Sequence, residues 1–392
     1  MESDPFIRIL AVDDEPDMEE LIRQQFRRKI RKQEMEFVFA QNGVEALLRL
    51  SEYEDIDLIL SDINMPEMDG LTLLNELSEL KRPSLKTIMV SAYGDMDNIR
   101  TAMNRGAFDF VMKPINFEDL EITINKTLEQ IVQIRNARKE HDQLASIQYD
   151  LNVAREIQTA ILPKDFPAFP DKSEFDLYAA MNAAKSVGGD FYDFFMIDDD
   201  KLGLAIADVS GKGIPAALFM AVSRTMLKAN ALGDLTPNEC LQRTNDNLCL
   251  ENVNTMFVTV FYAILNIRTG ELSFANAGHN APYILRNSGE VQQMKSKGEL
   301  VLGAMEGTNY SLSVETLNPG ESFYLYTDGV SEAMNRDFDL YGEDRLEKLL
   351  KTSYADPPRD LIMKVVKDVN DFVDDAEQSD DITALAVKYL GA

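Results

Sequence analysis

The first 116 residues alternate β-rich runs with amphipathic helical stretches, and this alternation restricts the folds open to the chain. The β-rich runs lie at residues 7–13 (IRILAVD), 36–41 (EFVFAQ), 58–62 (LILSD), 87–92 (TIMVSA) and 109–114 (DFVMKP). A helical stretch separates each pair of neighbouring runs, and another follows the last. Such alternation predicts an α/β fold with a doubly wound, five-stranded parallel sheet, whose ligands bind at the carboxyl ends of the strands.

Polar side chains stand at the ends of four of these runs. They are Asp13 and Asp14 after the first, Asp62 after the third, Ser91 in the fourth and Lys113 in the fifth. Crowded carboxylates repel one another unless a cation such as Mg²⁺ lies among them. With Mg²⁺ present, one carboxylate can attack a phosphoryl donor, and a hydroxyl and an ammonium can stabilise the added oxygens. The pattern predicts a magnesium-dependent phosphoacceptor site.

Residues 6–125 resemble the receiver domain of bacterial response regulators. The matching segments are VDDEP (12–16), DINMPEMDG (62–70), VSA (90–92) and FVMKP (110–114). The resemblance implies that Asp62 is the phosphoacceptor and that Asp13, Asp14, Asp62 and the Asn64 carbonyl hold Mg²⁺. It also implies phosphoryl contacts from Ser91 and Lys113, an aromatic switch at Phe110 and a cis bond between Lys113 and Pro114. The implied phosphodonor is a sensor histidine kinase.

No glycine or proline interrupts residues 116–162. Apolar residues recur there every three or four positions, which predicts a helix with one apolar stripe, although polar residues 135–143 weaken the stripe. A long one-sided helix pairs with a second copy in a coiled coil, or it folds back along its own domains. We expect a homodimer through this linker, with domains at residues 1–125, 126–163 (the linker) and 164–392.

After Pro163, strand-like and helical runs come in blocks. Helical runs lie at residues 214–232, 237–252, 343–354 and 358–375, among seven apolar strand-like runs. Blocks of this kind predict a sandwich of antiparallel sheets flanked by helices.

Four segments of this half place an aspartate beside glycine or at a strand edge. They are GGDFYD (188–193), ADVSGKG (207–213), YTDGV (326–330) and SDDIT (379–383). Hard oxygen ligands suit Mg²⁺ or Mn²⁺, and no nearby histidine or cysteine set suits zinc. Two such ions can activate water for attack on phosphorus and neutralise the leaving oxygens. The pattern therefore predicts hydrolysis of phosphate esters without a covalent phosphoenzyme.

The four segments, in this order, resemble the PPM family of metal-dependent serine/threonine protein phosphatases, in its SpoIIE-like branch. The resemblance covers about residues 165–392, and VAREIQTAILP (153–163) looks like the helix that precedes the domain in that branch. It implies a pair of Mn²⁺ or Mg²⁺ ions held by Asp190, Asp208, the Val209 carbonyl, Asp328 and Asp380, with Asp208 bridging both.

Several residues of this half have two interpretations. Asp193 and Asp381 are alternative ligands, because their segments each offer two acids. Lys185 lies where many family members place a basic residue for the substrate phosphate, and a solvated lysine is the alternative. His279, in AGHNAPYIL, is more often structural than catalytic.

Composition excludes some functions. The 67 acidic and 39 basic residues give a formal net charge of −28, which repels nucleic acid, and no helix-turn-helix pattern follows the receiver-like region. No apolar run approaches the roughly 20 residues that span a bilayer, and the amino terminus lacks the shape of a secretory signal. We expect a cytoplasmic protein that binds neither membranes nor DNA.

These patterns together predict a response regulator whose output is a phosphoprotein phosphatase controlled by phosphorylation of Asp62. The SpoIIE-like branch implies a phosphoserine or phosphothreonine substrate on a STAS-type anti-sigma-factor antagonist. Residues 209–213 and the helix that follows them are the expected regulated element. The alternative is a pseudophosphatase module that sequesters a regulatory partner.

Overall fold

The computed structural model describes residues 6–80, 82, 84–92, 94–251, 255–294 and 299–391. The chain divides into two compact units, Met1–Ile147 and Gln148–Ala392. Among the helices of these described ranges, none combines the length and the apolar character of a membrane span.

The first unit contains a five-stranded parallel sheet with strand order β2–β1–β3–β4–β5. The strands are β1 (Ile7–Val12), β2 (Met35–Ala40), β3 (Ile56–Asp62), β4 (Lys86–Ala92) and β5 (Asp109–Lys113). The connecting helices are α1 (Pro16–Gln25), α2 (Arg27–Arg31), α3 (Gly43–Glu52), α4 (Gly70–Glu79) and α5 (Met96–Asn104). The five predicted strands are confirmed, with ends shifted by at most two residues.

Alternate side chains of β1 fill the two faces of this sheet, as strand geometry requires. Ile9 and Ala11 pack with Phe26 near α1, whereas Leu10 packs with Leu50 of α3 on the opposite face. Buried residues on both faces explain why the strands are continuous apolar runs.

Helix α6 (Phe117–Ile161) is a single element of 45 residues. Four apolar residues of its first turns, Leu120, Ile124, Leu128 and Ile131, are buried in the core of the first unit. The first turns of α6 are therefore part of the first compact unit. Further along, Arg135 forms an ion pair with Asp57, a side chain that is only 2% exposed.

The second unit stacks two five-stranded antiparallel sheets. One has the order β13–β10–β9–β8–β7, with β7 (Phe191–Met196), β8 (Lys201–Val209), β9 (Val258–Asn266), β10 (Glu271–Ala277) and β13 (Ser313–Thr316). The other has the order β12–β11–β14–β15–β6, with β6 (Phe175–Asn182), β11 (Tyr283–Leu285), β12 (Val291–Gln293), β14 (Ser322–Tyr326) and β15 (Ile382–Tyr389).

Helices cover both outer faces of this sandwich. Helices α7 (Ile214–Ala231) and α8 (Pro237–Glu251) pack on the first sheet, and α10 (Glu343–Ser353) and α11 (Pro358–Val373) pack on the second. In β14, Phe323 and Leu325 fill the space between the sheets, while Tyr324 and Tyr326 face the helices. The four predicted helices are confirmed, but strands β7, β12 and β13 and the short helix α9 (Asp328–Ser331) were not predicted.

Candidate metal centre and phosphoacceptor site

The three acids at the carboxyl edge of the first sheet lie together. Carboxylate oxygens of Asp13, Asp14 and Asp62 are within 4.8 Å of one another. They meet because β1 and β3 are parallel neighbours whose carboxyl ends share one edge. Burial raises the pKa of Asp13, although the Glu15 amide and Lys113 partly offset this effect. Three carboxylates arranged in this way are suited to binding a cation.

Lys113 and Ser91 complete this edge. The Lys113 ammonium lies 2.7 Å from Oδ2 of Asp62 and 3.1 Å from Oδ2 of Asp13. Burial alone would lower the pKa of Lys113, but hydrogen bonds to Asp62, Glu15 and Asp13 hold it above the usual value. Within the described part of the chain, the buried Ser91 hydroxyl has no hydrogen-bond partner, which leaves it available to a ligand oxygen.

The remaining residues of the receiver prediction lie within three positions of Asp62 or Lys113 in the sequence. Asn64 is exposed just after β3, and Phe110 of β5 packs partly buried against Met89. The Lys113–Pro114 peptide bond is cis, as expected. Their roles in phosphorylation stay predictions.

The second set of acids lies at one end of the sandwich. Asp190 comes just before β7 and Asp208 lies near the end of β8, and Phe191 pairs with Ala207. Asp328 follows β14 and Asp380 precedes β15, and Tyr326 pairs with Ala384. The antiparallel pairing therefore brings two acids together in each sheet.

Three of these carboxyl groups, those of Asp190, Asp208 and Asp328, have raised pKa values. Asp190 is 2% exposed, and its pKa is raised well above the usual value by burial and by the charges of Asp208 and Asp381. Burial and the charge of Asp328 raise the pKa of Asp208 to about 7. The pKa of Asp328 is raised by burial, then by Glu332 and Asp380. Divalent cations would relieve this repulsion, so the chemistry of these residues suits the metal pair that their sequence pattern predicts. Among the described residues, however, only Asp13, Asp14 and Asp62 form a set of three acids with ligand oxygens within 4.8 Å of one another.

Lys212, in the loop before α7, provides a positive charge at the edge of the acidic cluster. Its ammonium lies 2.7 Å from Oδ2 of Asp380 and donates to the Ser379 carbonyl at 2.6 Å. The hydrogen bond to Asp380 raises the pKa of Lys212. This contact was not predicted, because the sequence pattern gave Lys212 only as part of a glycine-containing loop.

Asp381 is occupied by backbone amides. Its Oδ1 accepts from Ala184 at 2.8 Å, and its Oδ2 accepts from Gly189 at 2.7 Å and from Asp190 at 3.4 Å. Asp381 therefore supports the loop that carries Asp190. This geometry favours Asp380 as the direct ligand of the pair.

Asp193 faces helix α7. Its carboxylate lies 2.9 Å from the Arg224 guanidinium and 3.5 Å from the Lys228 ammonium. Lys185 is exposed, and none of the ion pairs of the described residues includes it. The structure therefore does not bring Asp193 into the acidic cluster, and it leaves Lys185 accessible to a substrate.

His279 is buried and bridges the two sheets. Its Nδ1 lies 2.8 Å from the Thr259 hydroxyl, and its Nε2 lies 3.2 Å from the Tyr326 carbonyl. Burial lowers the pKa of His279 to about 4. The ring is therefore neutral at physiological pH and has a structural position next to the strand ends that carry Asp208 and Asp328.

Thr327 is a site residue that sequence reasoning missed. Its hydroxyl donates to Oδ2 of Asp190 at 2.7 Å and accepts from the Thr383 amide at 3.1 Å. The available signal was its place between an apolar strand and Asp328.

Family comparisons match both halves of this architecture. The family model of the response regulator receiver domain matches residues 9–125. Chemotaxis protein CheY of Bacillus subtilis is 38% identical over 122 residues, which are 31% of this chain and 97% of CheY. The model of stage II sporulation protein E (SpoIIE) matches residues 198–390. The chain belongs to the bacterial response regulators, and its second half is similar to the SpoIIE family.

Two further similarities each cover more than half of this response regulator. Phosphoserine phosphatase RsbU of Bacillus subtilis is 27% identical over 277 residues, which are 69% of this chain and 80% of RsbU. The solved SiaA-PP2C domain of Pseudomonas aeruginosa is 25% identical with a TM-score of 0.57, and the match covers 63% of this chain and 98% of that domain. The chain spans only 41% of the length of another curated relative.

Proposed function

We propose that this response regulator is a protein phosphatase controlled by phosphorylation of Asp62. A sensor histidine kinase is the phosphodonor, and the product of the second domain is a dephosphorylated serine or threonine on a partner protein. The observation that carries this proposal is the crowding of Asp190, Asp208 and Asp328. Burial and mutual repulsion raise the pKa values of these carboxyl groups, and bound cations would stabilise their ionised forms. Similarity to the phosphoserine phosphatase RsbU supports the reaction class.

Two Mn²⁺ or Mg²⁺ ions would be held by Asp190, Asp208, the Val209 carbonyl, Asp328 and Asp380. When bound, they supply Lewis-acid activation of water and charge neutralisation. The protein's own residues prepare this centre, because Thr327 orients Asp190 and Asp381 fixes its loop. Exposed Lys185 is available for the substrate phosphate. In the receiver domain, Asp13, Asp14, Asp62 and the Asn64 carbonyl would hold one Mg²⁺.

The substrate that the SpoIIE-like branch implies is a small STAS-domain anti-sigma-factor antagonist. Recognition of a folded protein is consistent with an acidic cluster at an open end of the sandwich. Asp380 and Asp328 are only partly buried, so a phosphorylated residue presented by a partner can reach them.

Dimerisation through α6 would transmit the phosphorylation signal. Leu144, Ile147 and Ile157 of this helix are each more than half exposed, which is unusual for large apolar side chains unless a partner covers them. Phosphorylation of Asp62 adds charge at the sheet edge and would change how two copies of α6 pair. Residues 209–213 and α7 would respond, since Asp208 and Val209 begin that segment.

The catalytic proposal is tested with the full chain, a phosphoserine peptide and Mn²⁺. The wild type should release phosphate, and Asp208→Asn should reduce turnover by about a hundredfold or more because it removes a carboxylate charge from the residues that would hold the ions. Absence of turnover in both proteins, with partner binding retained, would favour the pseudophosphatase alternative.

Control by the receiver domain is tested by adding a small phosphodonor. The wild-type rate should change on addition, and the Asp62→Ala rate should not. Equal donor responses of the two proteins would refute the coupling.

Light scattering on the full chain tests dimerisation. Leu144→Asp is expected to yield monomers, and Lys139→Asp, on a polar part of the helix, is expected to leave the mass unchanged.

A further inference from the structure

We propose that Gln158 is a positioning residue through which the end of α6 holds the loop that carries Asp190. This inference deepens the proposed function, on which its consequence for the metal centre rests. The contact is a direct polar link between α6 and the loop before β7. It does not depend on a movement of α7.

Gln158 differs from its neighbours on the helix. It is the buried member of residues 151–160, with 7% of its surface exposed, whereas its apolar neighbour Ile157 is 58% exposed. The buried contact of this part of the helix is therefore polar. Because a buried amide without partners is costly, the site that receives it must supply both a donor and an acceptor.

Gly188 supplies both groups. The Gln158 Nε2 donates to the Gly188 carbonyl at 2.6 Å, and the Gly188 amide donates to the Gln158 Oε1 at 3.0 Å. The backbone fixes which end of the side-chain amide is which, since a carbonyl can only accept and an N–H can only donate. Two bonds to one residue set both the distance and the orientation of this loop relative to the helix.

The loop cannot absorb a displacement of Gly188 locally. A Cβ at Gly188 would lie 2.2 Å from Oδ2 of Asp381 and 2.8 Å from Cε of Met181. The next residue, Gly189, donates its amide to the same Asp381 oxygen at 2.7 Å. The backbone of this loop is therefore in close contact with the carboxylate that supports Asp190.

The same loop also lies close to the Val209 carbonyl, which belongs to the proposed ligand set. A Cβ at Gly189 would lie 2.9 Å from the Val209 carbonyl oxygen and 3.5 Å from Cβ of Ala216 in α7. A shift of Gln158 would therefore change the position of Asp190 and the packing of Gly189 on Val209 together. Both groups belong to the proposed ligand set, so a rotation or translation of the end of α6 would alter metal affinity.

The test compares Gln158→Met and Gln158→Glu in the full chain. Methionine has a similar length but cannot make either bond, whereas glutamate keeps the acceptor for the Gly188 amide and loses the donor. Gln148→Met is the matched control, because Gln148 is an exposed glutamine on the same helix. Thermal unfolding confirms that each variant is folded.

Two measurements decide the outcome. Calorimetry should show Mn²⁺ affinity about tenfold weaker in Gln158→Met and unchanged in Gln148→Met, as expected for loss of bonds worth about 1.4 kcal/mol. Hydrogen exchange should show faster exchange of the Gly188 and Gly189 amides in Gln158→Met. In Gln158→Glu the Gly188 amide should stay protected, a difference between the two variants that side-chain packing alone would not produce.

Unchanged exchange of Gly188 and Gly189 in Gln158→Met would overturn the positioning role. Faster exchange with unchanged Mn²⁺ affinity would overturn the link to the metal centre. If the wild type itself bound no Mn²⁺, the proposed function would fail, and hydrogen exchange would still decide whether Gln158 holds the loop.

Discussion

The Thr327 hydroxyl donates a 2.7 Å hydrogen bond to Oδ2 of Asp190, and this bond links the end of one sheet to the start of a strand in the other. Both residues are buried, so the bond is protected from water. The two sheets are therefore connected at the acidic cluster by a group that also favours the ionised form of Asp190.

Thr327→Val should weaken Mn²⁺ binding by roughly tenfold at neutral pH, because a hydrogen bond to a charged group contributes about 1.5 kcal/mol or more. Valine has nearly the same shape but no donor, so the pKa of Asp190 rises further. Thr327→Ser keeps the hydroxyl and should stay within about twofold of the wild type. Calorimetric titration with Mn²⁺ measures both variants, and equal affinities for valine and wild type would contradict the role of Thr327.

The metal-free protein should lose stability as pH rises from about 4 to about 7. The pKa of Asp208 is about 7 in the folded protein, against about 3.9 when unfolded, so the folded state retains a proton that the unfolded state has lost. The destabilisation is absent below the unfolded pKa and complete above the folded one. Asp190 and Asp328 shift in the same direction.

Thermal unfolding in EDTA at pH 5 and pH 8 measures this effect. Asp208→Asn should show a smaller fall in Tm than the wild type, and saturating Mn²⁺ should raise the wild-type Tm most at pH 8. A wild-type Tm that does not fall with pH, or an identical fall in Asp208→Asn, would show that Asp208 is not responsible.

Much of the first site could be predicted from the sequence, because strand ends in a parallel sheet meet at one edge. Asp13, Asp14 and Asp62 follow apolar runs, and knowing that these runs are neighbouring strands is enough to place the acids together. Four helices of the second domain were predicted for a similar local reason, since each has a periodic apolar face and a clear end.

Other features depend on contacts that no local pattern encodes. The preference for Asp380 over Asp381 as a proposed ligand depends on amides of residues 184, 189 and 190, almost 200 positions away. The apolar stripe of α6 weakens only at residues 135–143, and no local pattern shows that the first turns of the helix pack on the receiver core. Gln158 resembles any exposed helical glutamine until Gly188 is placed beside it.

His279 should stay neutral between about pH 5.5 and 8, with its proton on Nε2. The Tyr326 carbonyl can only accept, so Nε2 donates to it and Nδ1 accepts from Thr259. The chain has two histidines, so ¹⁵N spectra of the wild type and of His141→Gln assign the ring directly. A ring that gains a second proton near pH 6.5 would contradict this assignment.

Removal of the ring provides a kinetic test of the same position. His279→Ala should lower kcat/KM by a similar factor at every pH, because it loosens the strand ends that carry Asp208 and Asp328. Loss of one limb of the pH profile would instead identify His279 as an acid or base in the reaction.

Asp193→Asn should destabilise the metal-free protein by about 3 kcal/mol, because it leaves the largely buried Arg224 without its carboxylate partner. In a unit of this size the expected fall in Tm is roughly 6 to 12 °C. Asp198→Asn, in the exposed turn after β7, is the matched control and should change Tm by less than about 2 °C. The rise in Tm on adding Mn²⁺ should persist in Asp193→Asn, because the cluster of Asp190, Asp208, Asp328 and Asp380 is intact.

An acid that belonged to that cluster would behave in the opposite way. Its removal would relieve repulsion and raise the metal-free Tm, while it abolished the stabilisation by Mn²⁺. Thermal unfolding in EDTA and in Mn²⁺ therefore separates a carboxylate that anchors α7 from one that binds metal.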